Sequence, residues 1–295
     1  MLNVLILQTD NRTDVDFIGL SKLYNSKVTA FMQNQVNLHS GLGCPSVPFA
    51  SQPKWGPLCS QHNEIGFAHT RESDFSMPRI EVKRNENINY RYEFFPLESK
   101  HYENMHPAMG KIKFVDELLN TITDDIIVFL DSDAWVNEPT HLQELIERLL
   151  DAGPDIHGCF SRDPYVSKNT YVNSGSFVLK VDDFTRDMYK QIIAYTERDD
   201  SHHNLHSYDQ YYVSQLIYDN RQHFMVFLPD ILNTCYGKIL RHNWWKNQKM
   251  YKDLYELLDI HNHNKYIIPE PFDFEKEIDS QCWPNPNEQG YEYWG

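Results

Sequence analysis

The chain has 295 residues, long enough for one large α/β domain or two small ones. With 41% apolar and 23% charged residues it has the make-up of an ordinary globular protein, and 27 Lys+Arg against 42 Asp+Glu leave a formal charge of −15. A surface this acidic repels phosphate backbones and argues against nucleic acid as a partner, while leaving room for a local basic site that holds one small phosphate ligand.

In chain order, Met1 opens directly into Leu2–Leu7, an apolar run of strand length with no basic flank and no cleavage-site pattern. No stretch reaches the roughly 20 apolar residues needed to cross a bilayer. The five cysteines are scattered, with no C-x-x-C pair, so neither a zinc knuckle nor a disulfide framework is indicated. These features predict a soluble, cytoplasmic protein without signal peptide or membrane anchor.

Asn3–Gln8 (NVLILQ) reads as a strand buried on both faces of a parallel sheet. The polar loop Thr9-Asp10-Asn11-Arg12-Thr13 follows, then helical spacing over Val15–Tyr24 and a second expected strand at Val28–Met32. Such β-loop-α-β openings place ligands at the carboxyl ends of the strands. His39–Pro78, rich in Gly and Pro, reads as a long irregular insertion. A strand is expected at Tyr90–Phe95, a helix at Met109–Thr121, and the strongest buried strand of the sequence at Ile126–Leu130 (IIVFL). Beyond it come a helix near Thr140–Asp151, strands at His157–Ser161 and Val172–Lys180, and helices at Asp183–Thr196 and Tyr208–Tyr218. A strand at Phe224–Leu228 and a short helix at Met250–Leu258 complete the set. We read residues 1–268 as one domain with the insertion at 39–78, and residues 269–295 as an acidic, aromatic tail packed on it.

Asp131-Ser132-Asp133 sits at the end of IIVFL, where two carboxylates one residue apart can project together into the crevice above a sheet. Hard oxygen ligands of this kind suit Mg²⁺ or Mn²⁺, which in turn hold a diphosphate. A solvated turn with an Asp capping the next helix is the plainer alternative. Asn173-Ser174-Gly175 leads a small-residue turn into an apolar strand, so that a ligand can lie against the backbone. Asp209-Gln210 stands at a helix start, where the dipole alone favours an acid, but where a positioned carboxylate can also act as a general base. His202, His203 and His206 read as loop residues. In Arg241-His242-Asn243-Trp244-Trp245-Lys246 one imidazole can complete a metal shell, Lys246 or Arg241 can neutralise phosphate, and Trp245 can stack on a sugar. Lys111, near the start of the helix before IIVFL, reads by itself as a surface lysine.

Taken in order, HPAMGKIKFVDELL, IIVFLDSDAWV, NSGSFVLK, YDQYYVSQLI and LRHNWWK resemble the metal-dependent GT-A glycosyltransferases, closest to the galactosyl/xylosyltransferase-like and glycogenin-like branches. The resemblance spans Leu2 to Lys246. It implies an α/β fold with a Rossmann-like, mixed but mainly parallel sheet flanked by helices. It implies a nucleotide-diphosphate sugar donor, such as UDP-xylose, UDP-galactose or UDP-glucose, and a glycan or glycoprotein acceptor. Asp131, Asp133 and His242 would bind Mn²⁺ or Mg²⁺, although Asn243-Trp244-Trp245 stands where the family usually has a Gly after the His. Thr9, Asn11, Arg12, Asp131 and Ser132 would lie by the nucleotide, and Lys111 by the diphosphate or sugar. Asn173, Ser174, Gly175 and Gln210 would border donor sugar and acceptor, with Asp209 as the catalytic candidate: a base if the reaction inverts, a carboxylate beneath the sugar if it retains. Two other readings use the same residues less fully. One is a Mg²⁺-dependent nucleotidyltransferase or phosphohydrolase, the other a non-catalytic glycan-binding module.

Overall fold

A computed structural model describes residues 1–10, 15–39, 88–163, 170–205, 207–243, 254 and 272–279. Within these, six strands form one sheet. They are β1 (Leu2–Asp10), β2 (Ile88–Pro96), β3 (Ile126–Leu130), β5 (Gly158–Ser161), β6 (Ser176–Lys180) and β7 (Phe224–Phe227), in the spatial order β2-β1-β3-β6-β5-β7. β1 runs parallel to β2 and β3, and β5 runs parallel to β7; β6 alone is antiparallel to its neighbours β3 and β5. The protein is therefore an α/β fold on a mixed, mainly parallel sheet, as the sequence predicts.

Strand β3 explains why the sheet is central. All five of its side chains are buried, with Ile126, Val128 and Leu130 entering one core and Ile127 and Phe129 the other. At about 1.5–3 kcal/mol per fully buried large apolar side chain, such a segment is stable only between two covered faces. One face is covered by α1 (Val15–His39) and α4 (Pro139–Asp151), the other by α3 (Gly110–Thr121), α5 (Asp183–Arg198) and α6 (Tyr208–Asp219).

The expected strand at Val28–Met32 is instead the second half of α1. Leu20, Tyr24, Val28 and Met32 recur every four residues and are all buried on one helix face, a period that overrides the local β-branched character of Val28 and Thr29. The strand expected over Val172–Lys180 begins only at Ser176, with Val172 held by an isolated bridge to Arg162. The insertion, apart from the end of α1 at His39, and all but Leu254 of the helix expected at Met250–Leu258 lie outside the described residues. Near the carboxyl end, the backbone of residues 277–279 hydrogen-bonds along the outer edge of β7, and Phe272 and Phe274 pack on the α4 side.

Two features aim the site. Because β6 is antiparallel to β3, its first residue, Ser176, pairs with the last residue of β3, Leu130. The turn before β6 and the loop after β3 therefore meet at one end of the sheet. A separate two-stranded ribbon of β4 (Ala134–Val136) and β8 (Leu240–His242) pairs Ala134 with His242, folding residue 242 back against the same loop.

Candidate metal and donor site

The loop Asp131-Ser132-Asp133 leaves β3 fully buried, its residues only 1–4% exposed. Its shape is set from below. The Gln8 amide, at the end of β1, and the Ser21 hydroxyl, on α1, both donate to the Ser132 carbonyl, at 2.9 and 2.7 Å. One helical turn on, Asn25 donates to Gln8 Oε1 and to the Ala134 carbonyl and accepts from the Val136 N–H. Tyr92 on β2 donates to the same Gln8 oxygen. With the Ser132 carbonyl drawn down into this network, the flanking residues rise to the other side.

There, His242 Nε2 lies 3.1 Å from Asp133 Oδ1 and 3.7 Å from Asp131 Oδ2. The three side chains are buried, and they offer ligand atoms all within 4.8 Å of one another. Ligands about 2.1 Å from one small divalent ion stand at most ~4.2 Å apart, which both His242 distances satisfy. A further observation fits the same occupant. Asp131 Oδ1 is buried with no hydrogen-bond partner among the described residues, a costly arrangement for a carboxylate oxygen unless a cation meets it. The two carboxylates suit Mn²⁺ or Mg²⁺ alike, and the imidazole is a donor that a transition ion such as Mn²⁺ accepts more readily than Mg²⁺.

Beside this triad lies an ion-paired group. Lys111, in the first turn of α3, places Nζ 3.1 Å from Asp131 Oδ2 and 3.1 Å from Asp209 Oδ2. It is 7% exposed, so the surface lysine expected from its neighbourhood alone is a buried one. Burial pulls the Lys111 ammonium down, but the two carboxylates outweigh it and the net shift is upward, keeping it charged. Burial pushes the Asp209 carboxyl up, opposed by Lys111 and by the Ser174 hydroxyl that donates to it at 2.6 Å.

The head of α6 grips the turn before β6. Gln210 Oε1 accepts from the Ser174 N–H, and Gln210 donates to Asp163 Oδ2 at 2.6 Å, where Asn173 Nδ2 also donates. Asn173 Oδ1 in turn accepts from the Gly175 N–H, and the Gly175 carbonyl accepts from the Asp131 N–H at 2.8 Å. Gly175 is required by close approach, since a Cβ there would lie 2.0 Å from the His242 ring.

Of the residues singled out by sequence, Asp131, Asp133, His242, Lys111, Asn173, Ser174, Gly175, Asp209 and Gln210 converge here. Ser132 lies in the same loop, its carbonyl turned inward. Thr9 is buried at the end of β1, its hydroxyl without a partner among the described residues. Asn11, Arg12, Trp245, Lys246 and His206 lie outside the described residues. His202 stacks on Tyr211, and the His203 ring bonds the Thr196 carbonyl, as loop residues do. Sequence reasoning missed Gln8, Ser21, Asn25, Asp163 and Asn233. The signal available was polarity where the pattern calls for apolar residues: Gln8 in a buried strand, and Ser21 and Asn25 one turn apart on the buried side of α1.

No protein-family profile matches the chain, and no curated protein matches it by sequence. Solved structures similar to it include a glycosyltransferase involved in the glycosylation of the major capsid of PBCV-1, at 12% identity over 86% of this chain and 98% of that one, with a TM-score of 0.44. Another is the apo form of the glycosyltransferase GlyE in Streptococcus pneumoniae TIGR4, at 13% identity, covering 95% and 66% of the two chains, with a TM-score of 0.48. A third is the galactosyltransferase LgtC in complex with donor and acceptor sugar analogues, at 10% identity, covering 91% and 98%, with a TM-score of 0.45. Likeness at this level assigns no activity, so the functional reading rests on the geometry of the site.

Among the described residues, no helix is long and apolar enough to cross a membrane.

Proposed function

We propose that the protein is a metal-dependent glycosyltransferase that moves a sugar from a nucleotide-diphosphate donor, of the UDP-sugar class, to a hydroxyl of a glycan acceptor. The observation that carries this is the convergence of Asp131, Asp133 and His242 as a buried ligand set directly against the Lys111–Asp209–Ser174 group. A cation site flanked by a fixed ammonium suits a diphosphate, and a buried carboxylate one step further suits the sugar attached to it.

Transfer breaks the bond between the anomeric carbon and the diphosphate oxygen while the acceptor oxygen bonds to that carbon. Positive charge builds on the sugar and negative charge on the departing diphosphate. A divalent ion held by Asp131, Asp133 and His242 supplies electrostatic stabilisation of that leaving group. Lys111 adds a second positive charge, held in place by Asp131 and Asp209 so that little reorganisation accompanies the reaction. Asp209 faces the developing sugar cation, fixed in orientation by Ser174 and Lys111. Gln210, anchored to Asp163 and to the Ser174 N–H, holds the sugar-facing turn against the sheet. Gly175, where the sequence suggests a ligand against the backbone, instead makes room for the His242 ring that would hold the cation, since that ring occupies the space a Cβ would fill. Asn11 and Arg12 are assigned to the nucleotide, Lys246 to the phosphate and Trp245 to stacking on a sugar, within a transferase domain spanning residues 1–268.

Calorimetric titration with UDP and a panel of UDP-sugars, with and without Mn²⁺, tests the proposal against Asp133→Ala. Metal-dependent binding of one donor, lost in the variant, and release of nucleoside diphosphate on turnover are expected. Binding of none of the donors by folded protein, or release of pyrophosphate instead, would overturn it.

A further inference from the structure

Ring nitrogens that bind a metal are rarely free to choose their tautomer, and His242 is held at its backbone N–H and at its second ring nitrogen. Its backbone N–H donates to the Thr234 carbonyl at 3.0 Å. Its Nδ1 lies 2.8 Å from Oδ1 of Asn233, which is completely buried. Asn233 is itself set by the sheet. The Leu232 N–H donates to the Ser161 hydroxyl of β5 at 2.9 Å, and the Ser176 hydroxyl of β6 donates to the Leu232 carbonyl. Thr234 follows with φ +70°, a left-handed backbone that a β-branched residue adopts only when its surroundings impose it. Two serines, one strained residue and one backbone bond thus place the Asn233 side-chain amide against one ring nitrogen.

We propose that Asn233 is a positioning residue of the metal centre: its side-chain carbonyl holds the His242 proton on Nδ1 and so presents Nε2 as a bare lone pair to a divalent cation. The inference rests on the reading of Asp131, Asp133 and His242 as metal ligands. Its logic is that an imidazole has one proton to place when neutral, and a cation at Nε2 requires that proton at Nδ1. With the amide turned the other way, its N–H₂ would donate to Nδ1, the proton would move to Nε2, and the ligand position facing Asp133 would be blocked. Asn233 Nδ2 is buried with no partner among the described residues, so hydrogen bonding within the pocket gives the amide no reason to be there except the oxygen it points at His242.

The test measures Mn²⁺ affinity of the whole chain by electron paramagnetic resonance of the free ion, together with the nitrogen modulation that a coordinated imidazole imposes on bound Mn²⁺. Asn233→Leu keeps the number and branching of heavy atoms and removes the acceptor; it is expected to weaken Mn²⁺ ten- to hundredfold and to reduce the imidazole modulation. Asn233→Asp restores an acceptor for Nδ1–H and is expected to bind within about threefold of the parent or better, at the cost of a lower Tm. If Asn233 acts through His242, adding Asn233→Leu to His242→Ala weakens binding no further than His242→Ala alone. Parent-like affinity and modulation in a folded Asn233→Leu protein, failure of Asn233→Asp to restore binding, or full additivity with His242→Ala each overturns the inference while leaving the metal centre standing. Parent-like Mn²⁺ binding in both His242→Ala and Asp133→Ala overturns the metal centre itself, and this inference with it.

Discussion

Replacing Gly175 by alanine adds one methyl group at the point where three parts of the site touch. An ideal Cβ there would stand 2.0 Å from His242 Cε1, 2.3 Å from Nδ1 and 2.9 Å from Nε2. Non-bonded carbons rest about 3.5–4.0 Å apart, so the ring must retreat by roughly 1.5 Å or more. It has no slack in which to do so, because Nδ1 is tied to Asn233 at 2.8 Å and Nε2 faces Asp133 at 3.1 Å. Overpacking of this kind costs about 1–3 kcal/mol of stability. Displacing a ligand should weaken Mn²⁺ at least as much as loss of an outer-shell partner, about ten- to hundredfold. Gly158→Ala is the control. Its Cβ would lie 2.6 Å from Leu179 and 2.7 Å from the Val178 carbonyl, toward the other end of β6 from the site. That variant should lose comparable stability and bind Mn²⁺ normally. Calorimetric titration with Mn²⁺ alongside urea unfolding of both variants separates the two effects. Normal Mn²⁺ affinity in Gly175→Ala would falsify the claim that His242, held in this position, is a ligand.

Lys111→Met should destabilise the metal-free protein by about 3–5 kcal/mol, because it leaves Asp131 and Asp209 buried without the ammonium that lies 3.1 Å from each. Added Mn²⁺ should recover part of the loss; a cost below about 1 kcal/mol in urea unfolding would show that the pair is not buried as described. Glu138, at the start of α4, carries a pH prediction. Burial pushes its carboxyl up to about 8, against the Thr140 N–H that pulls it down. From about 4.3, the ordinary value in the unfolded chain, to that raised value, the native state keeps a proton that the unfolded state releases, so stability falls as pH rises. Glu138→Gln keeps an acceptor for the Thr140 N–H and removes this slope. The parent should therefore lose stability relative to the variant between pH 5 and pH 8 in urea unfolding, and parallel pH profiles would refute it.

What the sequence disclosed about this molecule follows from how far each signal reaches. IIVFL, Asp131-Ser132-Asp133, Asn173-Ser174-Gly175 and Asp209-Gln210 are contiguous, and each declares its chemistry within a few residues. The sheet class was legible for the same reason: buried strands and amphipathic helices alternate along the chain. Val28–Met32 misled because a short β-branched run outweighed the four-residue spacing from Leu20 to Met32, which only a longer window reveals. Of the parts that hold the site, Gln8, Ser21 and Asn25 stand out in the sequence only as polar residues out of pattern, and what they hold is not legible because it lies across the fold. Ser21 reaches Ser132 over 111 positions, and β4 finds β8 more than a hundred residues later. Nothing near Asn233 marks it, since its role appears only once β8 brings His242 to its side chain.

The plainer reading of Asp131-Ser132-Asp133, a solvated turn whose Asp caps the following helix, makes a structural claim that fails at two points. The cap of α4 is Glu138, whose carboxylate accepts from the Thr140 N–H, and Asp133 lies five residues before it, buried against His242. Nor does the Lys111 ion pair span the group: Lys111 lies between Asp131 and Asp209, while Asp133 lies against the His242 imidazole. The ring's tautomer decides what that second contact is. With the proton on Nε2 the ring donates to Asp133, and the two close on each other without any occupant. With the proton on Nδ1, against Asn233, Nε2 turns a lone pair toward Asp133, and a divalent cation is the occupant that would use the lone pair and the carboxylates together. The Asn233 variants therefore separate a capped turn from a metal centre.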